Sequence, residues 1–88
     1  MAASLAKLGS VLASDAKRAI VHLLGERGSQ TYAQLQGGLG LEDTLLSWHL
    51  RGLVTKDILS LSMRGNETVY SLTADGRSIA SRIVELNA

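Results

Sequence analysis

The chain has 88 residues, no cysteine, and nine basic against eight acidic residues, a formal charge of +1 at pH 7. This length predicts one domain, 1–88, and the missing cysteines exclude disulfides, thiolate metal ligands and a cysteine nucleophile. The near-neutral balance means that any nucleic-acid role must rest on a local basic face, not on bulk charge. A chain this short buries only about 60–65% of the surface it exposes when unfolded, so a homodimer would supply missing core.

Residues 3–13 carry Leu5, Leu8, Val11 and Leu12 at helical spacing. Lys7, Gly9 and Ser10 interrupt them, so no apolar run is long enough for a signal-peptide core or a membrane span. A soluble, cytoplasmic protein with no membrane partner is expected. Ser14 then opens a second helical pattern, Ala16, Ile20, Leu23 and Leu24. Its hydroxyl suits an orphan N–H at the helix start, and Asp15 suits the dipole there. Lys17 and Arg18 do not, and a solvated face is the reading adopted for both. Gly-Glu-Arg-Gly (25–28) ends this helix, because glycine takes the left-handed conformation that follows a helix end.

Thr31-Tyr32-Ala33-Gln34 reads as a capping box, with Thr31 as cap and Gln34 reaching back to it. A short helix follows, carrying Ala33, Leu35 and Leu39, and Gly-Gly-Leu-Gly (37–40) predicts a tight turn. The next helix, 43–55, has Asp43 or Glu42 as cap. Leu46, Leu50 and Leu53 recur at i, i+4, i+7 and face a core, while Thr44, Trp48 and Arg51 recur at the same spacing on the opposite face.

After Asp57 the period changes from 3.6 to 2. Leu59, Leu61 and Met63 fall on one side of a strand, with Ser60, Ser62 and Arg64 on the other. Gly65-Asn66 is turn chemistry, since both residues tolerate positive φ, and 68–72 is the return strand. Thr73 caps a last helix in which Ile79, Ile83 and Leu86 recur at i, i+4, i+7. The predicted architecture is mainly α with a two-stranded β hairpin, in the order α-α-α-α-β-β-α.

Three stretches in this order resemble the winged helix-turn-helix domain, in particular ArsR-like and MarR/PadR-like transcriptional regulators. Residues 14–24 look like the capped second helix of the ArsR-like proteins. Residues 40–53 are similar to their recognition segment, Gly-Leu-Ser-x-x-Thr-Val-Ser-x-His-Leu-x-x-Leu, matched by Gly40, Leu41, Ser47, His49, Leu50 and Leu53. Tyr70-Ser71-Leu72-Thr73-Ala74-Asp75-Gly76-Arg77 resembles the Tyr-x-Leu-Thr-x-x-Gly-Arg that closes the wing in many MarR- and PadR-like domains. Glu42 stands where the family often has serine, Trp48 where it often has a basic residue, and the cysteine metal motif of the metal-sensing members is absent.

The resemblance implies double-stranded DNA as partner, with helix 43–55 in the major groove and the wing, 58–72, on the backbone or an adjacent groove. Arg51 would grip a guanine or a phosphate, Thr44 and Ser47 either, and Trp48 thymine methyls or the sugar–phosphate wall. Thr31 and Tyr32 suit a phosphate at the start of the preceding helix, and Arg64 and Asn66 would reach DNA from the wing tip. The terminal helices, 1–13 and 74–88, are the expected dimer surface, through Leu5, Leu8, Leu12, Ile79, Ile83 and Leu86. Plain intramolecular core is the competing reading for these six.

The alternative function is a winged-helix module that docks on protein through Trp48. Glu42, Asp43 and the low charge favour it, since carboxylates repel phosphates, although both also suit a helix N-terminus. Catalysis finds no support. His22 and His49 sit in helical apolar stretches, no pair of ligands has metal-site spacing, and Gly-Gly-Leu-Gly is not a nucleotide fingerprint. No enzyme activity, cofactor or metal is expected.

Overall fold

A computed structural model of the chain describes residues 4–87; the first three residues and Ala88, parts of the two segments expected to pair copies, lie outside them. Five helices and a small sheet follow in the order α1 (Leu5–Leu12), α2 (Asp15–Arg27), β1 (Gln30–Thr31), α3 (Tyr32–Leu39), α4 (Asp43–Thr55), β2 (Leu59–Arg64), β3 (Glu67–Leu72) and α5 (Ala74–Asn87). The helix starts follow the predicted chemistry. Ser14 Oγ accepts from Lys17 N–H at 3.2 Å, Thr31 and Gln34 form the reciprocal capping box, and Thr73 Oγ1 accepts from Gly76 N–H at 3.0 Å.

The sheet has one more strand than the hairpin. Gln30 and Thr31 pair antiparallel with Tyr70 and Val69, so β3 lies between β1 and β2. Two residues cannot show a period of two, which is why the sequence pattern passes over β1. Its effect is to tie the start of α3 to the hairpin.

Ile20, Val21, Leu24, Leu35, Leu46, Leu50, Leu53, Ile58 and Ile79 fill one core. Leu46, Leu50 and Leu53 are at most 1% exposed, as the spacing in 43–55 requires. Ile79 and Ile83 also lie in this core, at 0% and 4% exposure. They are therefore corrected from dimer contacts to intramolecular packing, because α5 lies against α2 and has no surface left at these positions. Leu8 and Leu12 pack partly against the same core. Leu5 and Leu86 stay 86% and 64% exposed.

Three further expectations change. Helix α3 runs on through Gly37 and Gly38 to Leu39, and only Gly40 takes the left-handed turn, at φ 66°. Ala33 faces solvent rather than the core. Leu61 and Met63 share a face with Leu59, but only Leu59 is buried, while Leu61 and Met63 are 51% and 61% exposed. The hairpin turn has positive φ at Gly65 and not at Asn66, the pattern of a type II′ turn.

One junction joins α4, both long strands and α5. Helix α4 ends with Asp57 left-handed, at φ 59°. Asp57 N–H reaches Val54 carbonyl and Ile58 N–H reaches Leu53 carbonyl, both at 3.0 Å, a Schellman ending with aspartate in the position usually held by glycine. The buried Ile58 carbonyl then accepts Thr73 N–H at 3.1 Å and lies 3.0 Å from Thr73 Oγ1. Gly76 sits directly over that carbonyl, so close that a Cβ there would overlap its oxygen and crowd Leu72. Arg77 donates to Leu72 carbonyl at 3.2 Å. Thr-x-x-Gly-Arg is therefore a packing device. Gly76→Ala must push α5 off Ile58 and Leu72 and should cost about 1–3 kcal/mol, the usual cost of overfilling a packed site. Urea unfolding would show a lower midpoint; an unchanged midpoint would contradict the close approach.

Candidate nucleic-acid interface

Helix α4 owes its placement to its first turn. Glu42 is the N-cap but makes no side-chain cap, and Asp43 instead accepts a hydrogen bond from the Tyr32 hydroxyl. The same hydroxyl lies 3.0 Å from both Asp43 carbonyl and Ser47 Oγ. Tyr32 thus clamps α3 to the first turns of α4. Hydrogen bonding to the Asp43 carboxylate holds the phenol above its ordinary pKa, against an opposing contribution from Ser47.

This geometry redistributes the candidate residues. Thr31 is buried, at 7% exposure. Its hydroxyl accepts from Gln34 N–H at 3.1 Å and its N–H donates to Gln34 Oε1 at 2.9 Å. It is a cap inside the sheet, and the expectation that its N–H faces a phosphate is corrected accordingly. The hydroxyls of Tyr32 and Ser47 are engaged with each other and with Asp43, so their part is to set the angle of α4. Thr44, Trp48 and Arg51 do share an outward stripe, all exposed, with Trp48 62% accessible and Leu45 beside it 44% accessible. Arg64 and Asn66 are exposed at the hairpin tip. A groove of about 300 Å³, lined by Ser47, Arg51, Val54, Thr55, Leu61 and Tyr70, runs between α4 and the hairpin, so helix and hairpin bound a single concave surface.

Lys17, from α2, meets this surface at Trp48. Its Nζ lies 5.5 Å from the centre of the Trp48 ring, within cation–π range. Trp48 also meets His49 edge to face, with centroids 5.1 Å apart. His49 is 8% exposed, and its buried Nδ1 has no hydrogen-bond partner among the described residues. Burial first, and then the charge of Lys17, hold the imidazole below its ordinary pKa. No group of three or more His, Asp or Glu among the described residues is placed to hold a metal ion, and no helix there is long and apolar enough to cross a membrane.

No family model matches the chain, and no curated protein matches it in sequence. Solved structures do. The transcriptional repressor BigR from Xylella fastidiosa superposes with a TM-score of 0.83 at 21% identity, over 96% of this chain and 86% of that one. The transcriptional repressor PagR of Bacillus anthracis superposes at 0.78 and 26% identity, over 93% and 91%. The fold is the winged helix-turn-helix. A third relative in structure is BpsR of Bordetella bronchiseptica, whose DNA binding is regulated by 6-hydroxynicotinic acid; its TM-score is 0.77 at 16% identity, over 84% of this chain. The chain spans only 58% of BpsR's length. In the winged helix, α3 and α4 are the helix-turn-helix and β2–β3 the wing, and the likeness to ArsR- and MarR-like repressors extends from sequence to architecture.

The buried imidazole gives a pH test. With its folded pKa lowered, His49 contributes stability that is complete above the unfolded value of about 6.5 and is lost as the pH falls below it, because the unfolded chain binds the proton more readily. Denaturation midpoints of wild type should therefore drop between about pH 7 and 5 more steeply than those of His49→Leu. Parallel curves would show that His49 titrates alike in both states.

Proposed function

We propose that the protein is a DNA-binding transcriptional regulator, a binding protein and not an enzyme, acting in the cytoplasm as a homodimer. One observation carries the reading. On a winged helix, Thr44, Trp48 and Arg51 form an exposed stripe on α4, Arg64 and Asn66 an exposed wing tip, and a groove lined by Arg51 and by Leu61 of the wing runs between helix and hairpin. That is the arrangement in which a recognition helix enters the major groove while the wing meets the backbone. Arg51 supplies a bidentate donor toward guanine or phosphate, Thr44 a hydroxyl, Trp48 an apolar face, and Arg64 and Asn66 the backbone contacts.

The regulatory role of BigR and PagR supports the same reading. Leu5 and Leu86, far more exposed than leucines of a closed monomer core, are the residues through which α1 and α5 would pair two copies, placing two recognition helices on half-sites about one helical turn apart or a multiple of it. A second reading, docking on protein through Trp48, draws on the exposed Leu45 next to it and on the acidic pair Glu42 and Asp43.

Selection of bound duplexes from a random pool, followed by mobility shifts at two salt concentrations, separates the two readings. Arg51→Ala with Arg64→Ala should weaken duplex binding by at least about tenfold, or roughly 1.4 kcal/mol, with the thermal midpoint unchanged. A folded double variant of wild-type affinity would favour the protein-docking reading. Pairing is tested by sedimentation over a concentration series: wild type should dissociate on dilution, and Leu5→Ser with Leu86→Ser should be monomeric throughout, whereas a monomeric wild type would remove the dimer.

A further inference from the structure

We propose that Lys17 is a backbone-phosphate contact of the DNA-binding surface, carried there by Trp48. The inference rests on the DNA reading and adds to it a residue from outside the helix-turn-helix and the wing. Lys17 lies in α2, yet its ammonium stands over the Trp48 ring at 5.5 Å. Trp48 is one turn along α4 from Thr44 and nearly one turn before Arg51, and a helical turn rises about 5.4 Å. The ammonium therefore reaches the outward stripe from a neighbouring helix rather than from α4 itself.

Position decides what such a charge can reach. A recognition helix fills a groove about 12 Å wide, so side chains on its outward stripe face base edges, while groups beside the stripe face the sugar–phosphate walls. Lys17 comes to Trp48 from α2 and so stands beside the helix that carries the stripe, and its charge is available. The neighbouring acid, Asp15, is paired with Arg18, and among the described residues Lys17 has no carboxylate partner. Trp48, 62% exposed, keeps the ammonium at the rim without neutralising it, because a ring quadrupole attracts a cation and leaves its N–H donors free to meet an oxygen.

A phosphate contact releases counterions and reads no sequence, and this distinguishes it from a structural lysine. Binding of the intact chain to a selected duplex and to an unrelated one would be followed from low to moderate salt for wild type, Lys17→Gln and Arg18→Gln. Lys17→Gln should reduce the slope of log affinity against log salt by about one, weaken both duplexes equally, and leave the thermal midpoint in place. Arg18→Gln should leave the slope unchanged, since Arg18 is committed to Asp15. An unaltered slope for Lys17→Gln, or an equal reduction by Arg18→Gln, overturns the assignment while the DNA reading stands. A wild type that binds neither duplex overturns both.

Discussion

The carbonyl of Ile58 is the point on which the rest of the molecule depends. It is buried at the end of α4 and the beginning of β2, and it is satisfied by the backbone N–H of Thr73, with the Thr73 hydroxyl 3.0 Å away. A buried carbonyl left without partners is costly, so the chain must bring residue 73 to it. Gly76 makes this possible by having no side chain to keep α5 away. The end of the recognition helix, the base of the wing and the start of the last helix are thereby held at one place, and the angle between α4 and the hairpin follows from it.

At the other end of α4 a second polar contact completes the definition of its position. The Tyr32 hydroxyl joins Asp43 and Ser47, while β1 ties the residue before it to β3. The helix is held near both ends, by Tyr32 at the start and by the Ile58 junction at the finish, with Leu46, Leu50 and Leu53 in the core between them. What remains free on α4 is an outward strip of one arginine, one threonine and a large aromatic, with Leu45 beside them. The acidic residues that seemed to oppose DNA contact have separate placements, since Asp43 is taken up by Tyr32 and Glu42 stays at the helix start.

Much of the fold was legible because helical faces and caps are local. Ser14, Thr31 and Thr73 announce their helices by residue type alone, and the spacing of Leu46, Leu50 and Leu53 identifies the buried side of α4 without any neighbour being known. The hairpin was legible from its change of period. Three things were not. The two residues of β1 carry no period, and their pairing with Tyr70 and Val69 exists only when β3 arrives from some 40 residues away. Leu61 and Met63 alternate as a buried strand face would, yet in the packed chain only Leu59 of that face enters the core. Ile79 and Ile83 have the spacing of a contact stripe, and only the position of α2 assigns that stripe to the chain's own core.

The sequence by itself determined the order of the helices and the hairpin, the caps that start α2, α3 and α5, the core side of α4 and the likeness to winged-helix regulators, because these follow from neighbours along the chain. Tertiary structure alone decided which candidate side chains are still available to a partner. Tyr32, Ser47 and Asp43 lie 11 and 15 residues apart in the relevant pairs and satisfy one another only after α3 and α4 pack. Lys17 and Trp48 meet across 31 positions, 48 less 17. Hydrogen bonds and cation–π contacts act over a few ångströms, and which groups come that close is a property of the packed chain.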